Sequence, residues 1–310
     1  MTYLISIISE HLLPNYFLAK EFEGKYDRHL LITTERMEKL AMTGRFCKTL
    51  GIAKNEVRSI TVAEDDLPDV TQKLETAPFE ATDRFIVNLT GGTKLISIGT
   101  FNTFSAKTDA FYYVPIGVNK IQEVKTGKEL LLNYRVNVDE YLSLYGLSFT
   151  TENTDRIQDT KGAEFETYIT NRIKSENGIK NGHIYRGVKI YREDKTTNDN
   201  EIDVMWTADN QLFVGECKVT LNKARAMDWS EDEGRPIAKP AEYLDEIMYK
   251  LAAISKDFGL RVNPYIFTRH PFSPPVFTPR RMQHIEKRMK ILGIRGLLGR
   301  AEINQLKLKI

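Results

Sequence analysis

The sequence predicts an α/β protein in two parts, a doubly wound parallel-sheet domain followed by a smaller α/β domain. Three observations predict this. Residues 1–115 alternate apolar, strand-like runs with amphipathic helical stretches, the pattern of a parallel sheet covered on both faces. Residues 161–268 read differently, as a helix, a three-strand meander, a helix and a strand. Between them Thr150-Thr151-Glu152-Asn153-Thr154-Asp155 is polar and nearly free of apolar residues. That places the boundary at about 150, with a Rossmann-like domain over 1–149 and a second domain over 150–310. At 310 residues the chain has room for two cores.

Taken in order, Tyr3–Ser9 is a continuous apolar run suited to a strand buried on both faces. Pro14 marks the first turn of a helix. His29–Thr33 is a second strand, and Thr34 is the N-cap of one helix carrying Met37, Leu40, Ala41 and Gly44. Val57–Val62 is a third strand, followed by a helix over Asp66–Glu75. Arg84–Leu89 is a fourth strand, then come a glycine turn, the helix Thr93–Ser105 and a fifth strand, Ala110–Ile116. Residues 118–149 hold a hairpin about Lys125-Thr126-Gly127-Lys128 and a short helix, Asp139–Tyr145. The second domain opens with the helix Lys161–Ser175, whose stripe is Phe165, Tyr168, Ile169 and Ile173. A strand over His183–Tyr191, a loop over Glu193–Asp199 and two paired strands follow. The helix Ala241–Phe258, the strand Arg261–Thr268, a proline-rich connector (Pro271–Pro279) and a basic helix, Arg280–Leu292, complete the chain.

Composition excludes several classes. No run of 18 or more apolar residues exists, so no membrane partner is expected. The apolar start, Met1–Ile8, lacks the basic flank of a signal peptide and reads as the first strand. Two cysteines, Cys47 and Cys217, lie in different domains, which argues for a reducing cytoplasm rather than a disulfide framework. They and five scattered histidines offer no zinc spacing, so any metal is held mainly by oxygen. The last 31 residues carry nine Lys/Arg against two Glu, which suits either a phosphate backbone or a solvated basic face.

The chemistry concentrates in Asn200-Glu201-Ile202-Asp203-Val204 and Val214-Gly215-Glu216-Cys217-Lys218, two strands joined by the turn Ala208-Asp209-Asn210-Gln211. Alternation puts Glu216 and Lys218 on one face, with Asp203 in reach from the neighbouring strand. Charges at the edge of a core need a compensating role. Two carboxylates that repel one another unless a cation lies between them suit Mg2+ or Mn2+, with the Cys217 carbonyl as a further oxygen. Lys218 suits a point charge on a nucleophile or a developing oxyanion. Glu166 on the preceding helix completes the set, with Glu164 as its competitor. The bland alternative is a structural ion-pair cluster.

Gly162-Ala163-Glu164-Phe165-Glu166, Glu201-Ile202-Asp203-Val204 and Glu216-Cys217-Lys218, in that order, resemble the PD-(D/E)XK restriction-endonuclease superfamily. The resemblance implies metal-dependent cutting of DNA, RNA or both, with Glu166, Asp203, Glu216 and Lys218 as its catalytic set.

A second motif, Asn88-Leu89-Thr90-Gly91-Gly92-Thr93-Lys94, lies where a buried strand ends and a helix begins, the crevice in which open α/β sheets bind ligands. Two glycines allow close backbone approach, and the helix N-terminus with Lys94 favours an anion. Asn88, Thr90 and Thr93 carry groups able to read a phosphate, ribose or base. The heptad is neither a dinucleotide fingerprint nor a Walker P-loop. The loop containing Asn15 and the strand end Thr33-Thr34 border the same crevice. A tight structural turn is the alternative. Asn-x-Thr-Gly-Gly-Thr-Lys after a fourth strand is similar to the CRISPR-associated Rossmann-fold (CARF) sensor. With a PD-(D/E)XK domain behind it, the chain resembles CARF nucleases of type III CRISPR defence. The resemblance implies activation by a cyclic oligoadenylate, usually cyclic tetra-adenylate, at a homodimer interface. It assigns ligand contacts to Asn88, Thr90, Gly91, Gly92, Thr93 and Lys94, and further to Pro14, Asn15 and Thr33.

Two other readings compete: a ligand-responsive nucleic-acid-binding regulator with an inactive nuclease fold, and a constitutive restriction-type nuclease. Weaker candidates are Arg280, Arg281, Lys287, Arg288 and Lys290 for substrate phosphates, and Tyr112 and Tyr113 for stacking on a base. Trp229, in the charged loop Asp228–Glu233, suits a lid over the nuclease site, while His183 and His270 lack an obvious catalytic partner.

Overall fold

The computed structural model describes residues 1–151, 160–176, 178–192, 200–221, 240–260, 262–272 and 277–304. The polar stretch 152–159, the loop 193–199, Trp229 with its charged loop, and Pro274-Pro275 of the connector lie outside the described residues.

The first sheet is built from β1 (Thr2–Ile7), β2 (Arg28–Thr33), β3 (Val57–Thr61), β4 (Arg84–Asn88), β5 (Phe111–Tyr113), β6 (Lys120–Glu123) and β7 (Glu129–Leu131). Its strand order is β3-β2-β1-β4-β5-β6-β7. The first five named are parallel, and β6 and β7 extend the sheet as an antiparallel hairpin. The helices between them are α1 (Leu13–Glu21), α2 (Glu35–Lys39), α3 (Met42–Leu50), α4 (Leu67–Glu75) and α5 (Lys94–Phe104). One face packs Ile5, Ile7, Ile32 and Val87 against Val70 and Leu74 of α4 and Ile96 and Phe104 of α5. The central β1 is apolar on both faces because both are covered: Leu4, Ile5 and Ile7 are all fully buried.

The caps follow the sequence closely. Thr34, Asp66 and Thr93 each accept a backbone N–H with a side-chain oxygen at the start of α2, α4 and α5. The single helix expected after Thr34 is instead two, α2 and α3. Ala41 stands between them at φ 56° in the left-handed region, which stops one helix and re-aims the next.

The second sheet runs β13-β12-β11-β10-β9-β8. Its strands are β8 (Leu147–Thr151), β9 (Ile184–Arg192), β10 (Asn200–Ala208), β11 (Gln211–Lys218), β12 (Val262–Thr268) and β13 (Gly296–Leu298). Strands β8 to β11 are antiparallel in succession, and β12 and β13 add in parallel. The helices are α6 (Val138–Leu144), α7 (Thr160–Glu176), α8 (Pro240–Ser255), α9 (Pro279–Leu292) and α10 (Arg300–Asn304). Strands β8 and β13 and helix α10 were not expected from the sequence. Each is short, and the two strands are stabilised by pairing with a strand distant in sequence rather than by their own pattern. A two-residue turn, Asp209-Asn210, joins β10 to β11 with φ of 46° and 58°, the type I′ geometry that matches strand twist.

The chain divides into two compact units, residues 1–136 with 143–146, and 137–142 with 147–310. Residues 137–142 and 147–149, placed before the sequence boundary at 150, thus count with the second unit, because β8 pairs with β9. Among the described residues no helix is long and apolar enough to cross a membrane. Both cysteines are free.

Candidate functional site

Two sites emerge, one in each unit. In the first, β1 lies between β2 and β4, so the connections that follow β1 and β4 leave from the point where the strand order reverses. Asn15 donates from Nδ2 to the Ile7 carbonyl at 2.8 Å, and Asn88 donates from Nδ2 to Asn15 Oδ1 at 2.8 Å. The Thr90 N–H donates to Asn88 Oδ1 at 2.9 Å, and the Val114 N–H donates to Thr90 Oγ1 at 2.7 Å. This chain of bonds ties the end of β1, the start of α1, the end of β4 and the segment after β5 into one rigid floor. Asn15 and Asn88 are fully buried and Thr90 nearly so.

The glycines above that floor are dictated by space. Gly91 sits at φ +111°, and a Cβ there would meet the Ile7 carbonyl oxygen at 2.5 Å. Gly92 sits at φ +64°, where a Cβ would collide with Ile7 Cγ2. Thr93 donates to the Glu64 carbonyl at 2.7 Å while capping α5, and Lys94 opens that helix exposed. Thr33 and Pro14 are buried, and Thr33 accepts from Thr43 Oγ1 at 3.4 Å. The nine residues singled out in the sequence therefore divide. Pro14, Asn15, Thr33, Asn88 and Thr90 build the crevice from within, whereas Gly91, Gly92, Thr93 and Lys94 present it to solvent. A cavity of about 820 Å³ lies at the ends of β2 and β3, lined in part by Glu10, Thr34, Arg36, Lys39, Glu64 and Lys73. Glu10 belongs to the loop after β1 that the sequence places at the crevice, whereas Arg36 and Lys39 lie on helix α2 with no motif around them, so nothing in the sequence flagged those two.

The second site stands at the far end of the β10–β11 ladder. Val204 pairs with Gly215, so Asp203 and Glu216 are the next opposed pair, and side chains of opposed residues share a face. Lys218 Nζ reaches Glu216 Oε1 at 2.7 Å and Asp203 Oδ2 at 3.4 Å. The Cys217 N–H donates to Asp203 Oδ2 at 2.6 Å, and Lys218 Nζ also donates to the Cys217 carbonyl at 3.2 Å. The Cys217 side chain turns to the opposite face and packs with Phe165 and Ile169 of α7. Glu216 is buried and also meets Lys250 of α8, whose Nζ is 3.3 Å from Oε1.

Electrostatics mark the same cluster. Burial, then the charge of Glu216, raise the Asp203 pKa to about 6, against the pull of Lys218. Burial, then Asp203, raise that of Glu166 to about 7, with Arg186 and Lys218 opposing and Glu201 assisting. Burial alone would depress Lys218, but Asp203 and Glu216 outweigh it and hold the ammonium charged. Glu164, the competitor of Glu166, is exposed. Sequence reasoning missed Lys250 and Arg186. Lys250 lies seven residues after Tyr243, whose phenol oxygen also acts on Lys218, so both belong to one face of α8. Arg186 donates to the Ala163 carbonyl and Thr167 Oγ1, latching β9 to α7 beside Glu166.

The donor set fits a hard divalent cation. Asp203, Glu216 and the Cys217 carbonyl are all oxygen donors, and after burial, the larger cause, the Glu216 charge helps raise the Asp203 pKa and the Asp203 charge that of Glu166. Among the described residues no three His, Cys, Asp or Glu side chains are grouped to enclose an ion.

Three of the other sequence candidates take structural places, whereas Tyr113, Arg280, Lys287 and Lys290 are exposed. Arg288 pairs with Asp245 and fastens α9 to α8. Tyr112 packs on Phe22 at 4.8 Å between ring centroids, and His183 Nδ1 meets Thr207 Oγ1 at 2.9 Å.

Residues 3–141 match the family model of the Card1 CARF domain. No curated protein matches the sequence. Among solved structures, Can2 from Sulfobacillus thermosulfidooxidans, in complex with cyclic tetra-adenylate, aligns with a TM-score of 0.69 at 18% identity, over 98% of this chain and 96% of that one. Protein VC1899 from Vibrio cholerae aligns at 0.73 and 13%, over 99% and 96%. A type III CRISPR defence DNA nuclease activated by cyclic oligoadenylate aligns at 0.59 and 16%, over 94% of this chain and 51% of that one. At these identities the likeness establishes a shared fold along nearly the whole chain.

Proposed function

We propose that this chain, whose residues 3–141 match the Card1 CARF domain model, is a metal-dependent endonuclease of type III CRISPR defence, switched on by a cyclic oligoadenylate. One observation carries the reading: Lys218 bridges Asp203 and Glu216 just beyond the last pair of the β10–β11 ladder, in a chain whose first domain matches a CARF-domain model. The fold shared with a cyclic tetra-adenylate complex and with a cyclic-oligoadenylate-activated DNA nuclease supports it.

In this reading the second domain has the PD-(D/E)XK arrangement and cuts DNA, RNA or both. Mg2+ or Mn2+, when bound, lowers the pKa of a water and neutralises charge on the phosphoryl oxygens. Asp203, Glu216 and the Cys217 carbonyl would hold the cation. Lys218, kept charged by its two carboxylates, stabilises the developing phosphorane charge. Glu166, whose pKa of about 7 suits proton transfer near neutrality, accepts a proton from the attacking water.

In the first domain the exposed Gly91-Gly92-Thr93-Lys94 edge takes the activator, cyclic tetra-adenylate. A two-fold homodimer sets two such crevices across one axis, matching a cyclic ligand of even repeat. The ligand favours the cutting state by binding it more tightly than the resting state. The protein works in the cytoplasm, where such a ligand and invading nucleic acid are both found.

The test is cleavage of single-stranded RNA and supercoiled DNA with Mn2+, with and without cyclic tetra-adenylate. Cutting that needs both is expected. Equal cutting without the nucleotide removes the switch, and undiminished cutting by Glu216→Ala removes the site.

A further inference from the structure

Glu216 is contacted by two lysines from different elements, and the two are not equivalent. Lys218, on β11, places Nζ 2.7 Å from Glu216 Oε1, 3.4 Å from Asp203 Oδ2 and 3.2 Å from the Cys217 carbonyl. An ammonium has three N–H donors, so these three acceptors take all of them. Lys250, on α8, places Nζ 3.3 Å from Glu216 Oε1 and 3.5 Å from Oε2, and among the described residues it makes no other hydrogen bond. Its donors are spread over one carboxylate at long distances, so it has capacity to spare. Its side chain is 49% exposed, against 4% for Glu216.

The helix dictates this placement. α8 buries Leu244, Ile247, Met248, Leu251 and Ile254, and Lys250 borders that stripe beside Leu251. A lysine there lays its stem along the apolar margin and leaves its ammonium at the edge of the carboxylate cluster. As a structural partner it adds little, because Lys218 already holds Glu216 and an ion pair with a half-exposed lysine is weak. Two carboxylates, Asp203 and Glu216, face two ammoniums, Lys218 and Lys250, so these four side chains balance in charge. A dication at the carboxylates tips that balance. Lys250 is then beside a charge twice that of the carboxylate it rested on, and the next anion to arrive is the phosphodiester.

We infer that Lys250 is a further catalytic residue, which rests on Glu216 before the cation binds and then passes to a non-bridging oxygen of the scissile phosphate. The inference rests on the nuclease reading above and deepens it. The atoms of the reaction are those already proposed. The water oxygen bonds to phosphorus, and the bond from phosphorus to the leaving sugar oxygen breaks. The proton of the water goes to Glu166, and the leaving oxygen takes one from solvent. Lys250 gives up no proton. It offsets the negative charge that gathers on the phosphoryl oxygens, from the side of α8, while Lys218 acts from β11.

The test uses the full chain with cyclic tetra-adenylate present. Single-turnover cleavage of single-stranded RNA and supercoiled DNA with Mn2+ is measured for the wild type, Lys250→Ala, Lys250→Arg and Lys250→Met, each checked for folding by thermal melting. A shielded donor is worth about 10²- to 10³-fold, and the half-exposed Lys250 less, so Lys250→Ala is expected to slow the saturated rate about 10- to 100-fold. The half-saturating enzyme concentration changes little, because the contact forms fully only as charge develops. Lys250→Arg, which keeps charge and donors, is expected to recover most of the rate. Added ethylammonium is expected to raise the Lys250→Ala rate in a saturable way, whereas tetramethylammonium, which has no N–H, does not. Lys250→Met, whose side chain fills the space, responds to neither. Mn2+ calorimetry without nucleic acid is the second readout, and Lys250→Ala is expected to bind at least as tightly as the wild type. A lost rate explained by weaker Mn2+ binding overturns the inference, since Lys250 then only supports Glu216. So does a lost rate that neither arginine nor ethylammonium restores. A wild type that does not cut overturns the nuclease reading and this inference together, whereas a cutting wild type matched by Lys250→Ala overturns the inference alone.

Discussion

Replacing Asn88 by alanine tests the crevice floor most directly. The substitution removes the bond from Asn88 Nδ2 to Asn15 Oδ1 and the one from the Thr90 N–H to Asn88 Oδ1. It strands an amide oxygen and a backbone N–H where Asn15 is 0% and Thr90 7% exposed. Each buried group without a partner costs about 1–3 kcal/mol, so the variant loses about 2–6 kcal/mol. That is a large share of the 5–15 kcal/mol or so that holds a typical domain folded. Native-state hydrogen exchange reads the loss locally. The Val114 N–H, held by Thr90 Oγ1, is expected to exchange at least about 30-fold faster, since each 1.4 kcal/mol is about tenfold. Asn88→Asp keeps the acceptor for the Thr90 N–H, so that amide stays protected even as a carboxylate is buried. Cyclic tetra-adenylate binding is expected to weaken with Asn88→Ala, although the side chain has no exposed surface, because the Thr90–Gly92 backbone loses its support. A loss below about 1 kcal/mol, with Val114 exchange unchanged, refutes the floor as a load-carrying network.

Lys218→Ala is expected to lower single-turnover cleavage by about 10²- to 10³-fold with Mn2+ binding retained, because the lysine acts on developing charge; unchanged rates refute that role. Lys250→Met is expected to tighten Mn2+ binding measured by calorimetry without substrate, because its ammonium competes for Glu216. Lys250 is half exposed, so the gain is only about 0.2–1 kcal/mol, or up to about fivefold, and weaker binding refutes the competition. His29 is buried between Tyr26 and Phe46. Burial lowers its pKa from 6.5 to about 4. The unfolded chain binds that proton first, so stability is full above about pH 6.5 and falls by about 3 kcal/mol as the pH drops to about 4. Urea unfolding across that window, compared with His29→Phe, checks the sign; an equal slope in both refutes it.

The two sites differed in how readable they were. Asp203, Glu216 and Lys218 were legible because strand alternation and a two-residue turn fix which side chains share a face. Gly91 and Gly92 were legible because positive φ and close approach to Ile7 leave no room for another residue. Lys250 was not, since a lysine on a helix face reads as solvated until the helix is packed against its sheet. Nor was the division of the crevice residues. Asn15 and Asn88 read as ligand-facing polar groups, yet long-range bonds bury both. The break at Ala41 was missed because alanine favours helix and nothing local predicts a left-handed alanine.

The I′ turn at Asp209-Asn210 has a consequence for control. Five paired positions run from that turn to Val204 and Gly215, so the spacing of the two acidic side chains is decided when the hairpin folds. Sliding by one residue would invert every side chain of the ladder, so small adjustments of this pair are not available to a regulator. Under the proposed switch, an activating signal would act instead on α7, which brings Glu166, or on α8, which brings Lys250. The hairpin is the anvil, and regulation belongs to whatever is brought down on it.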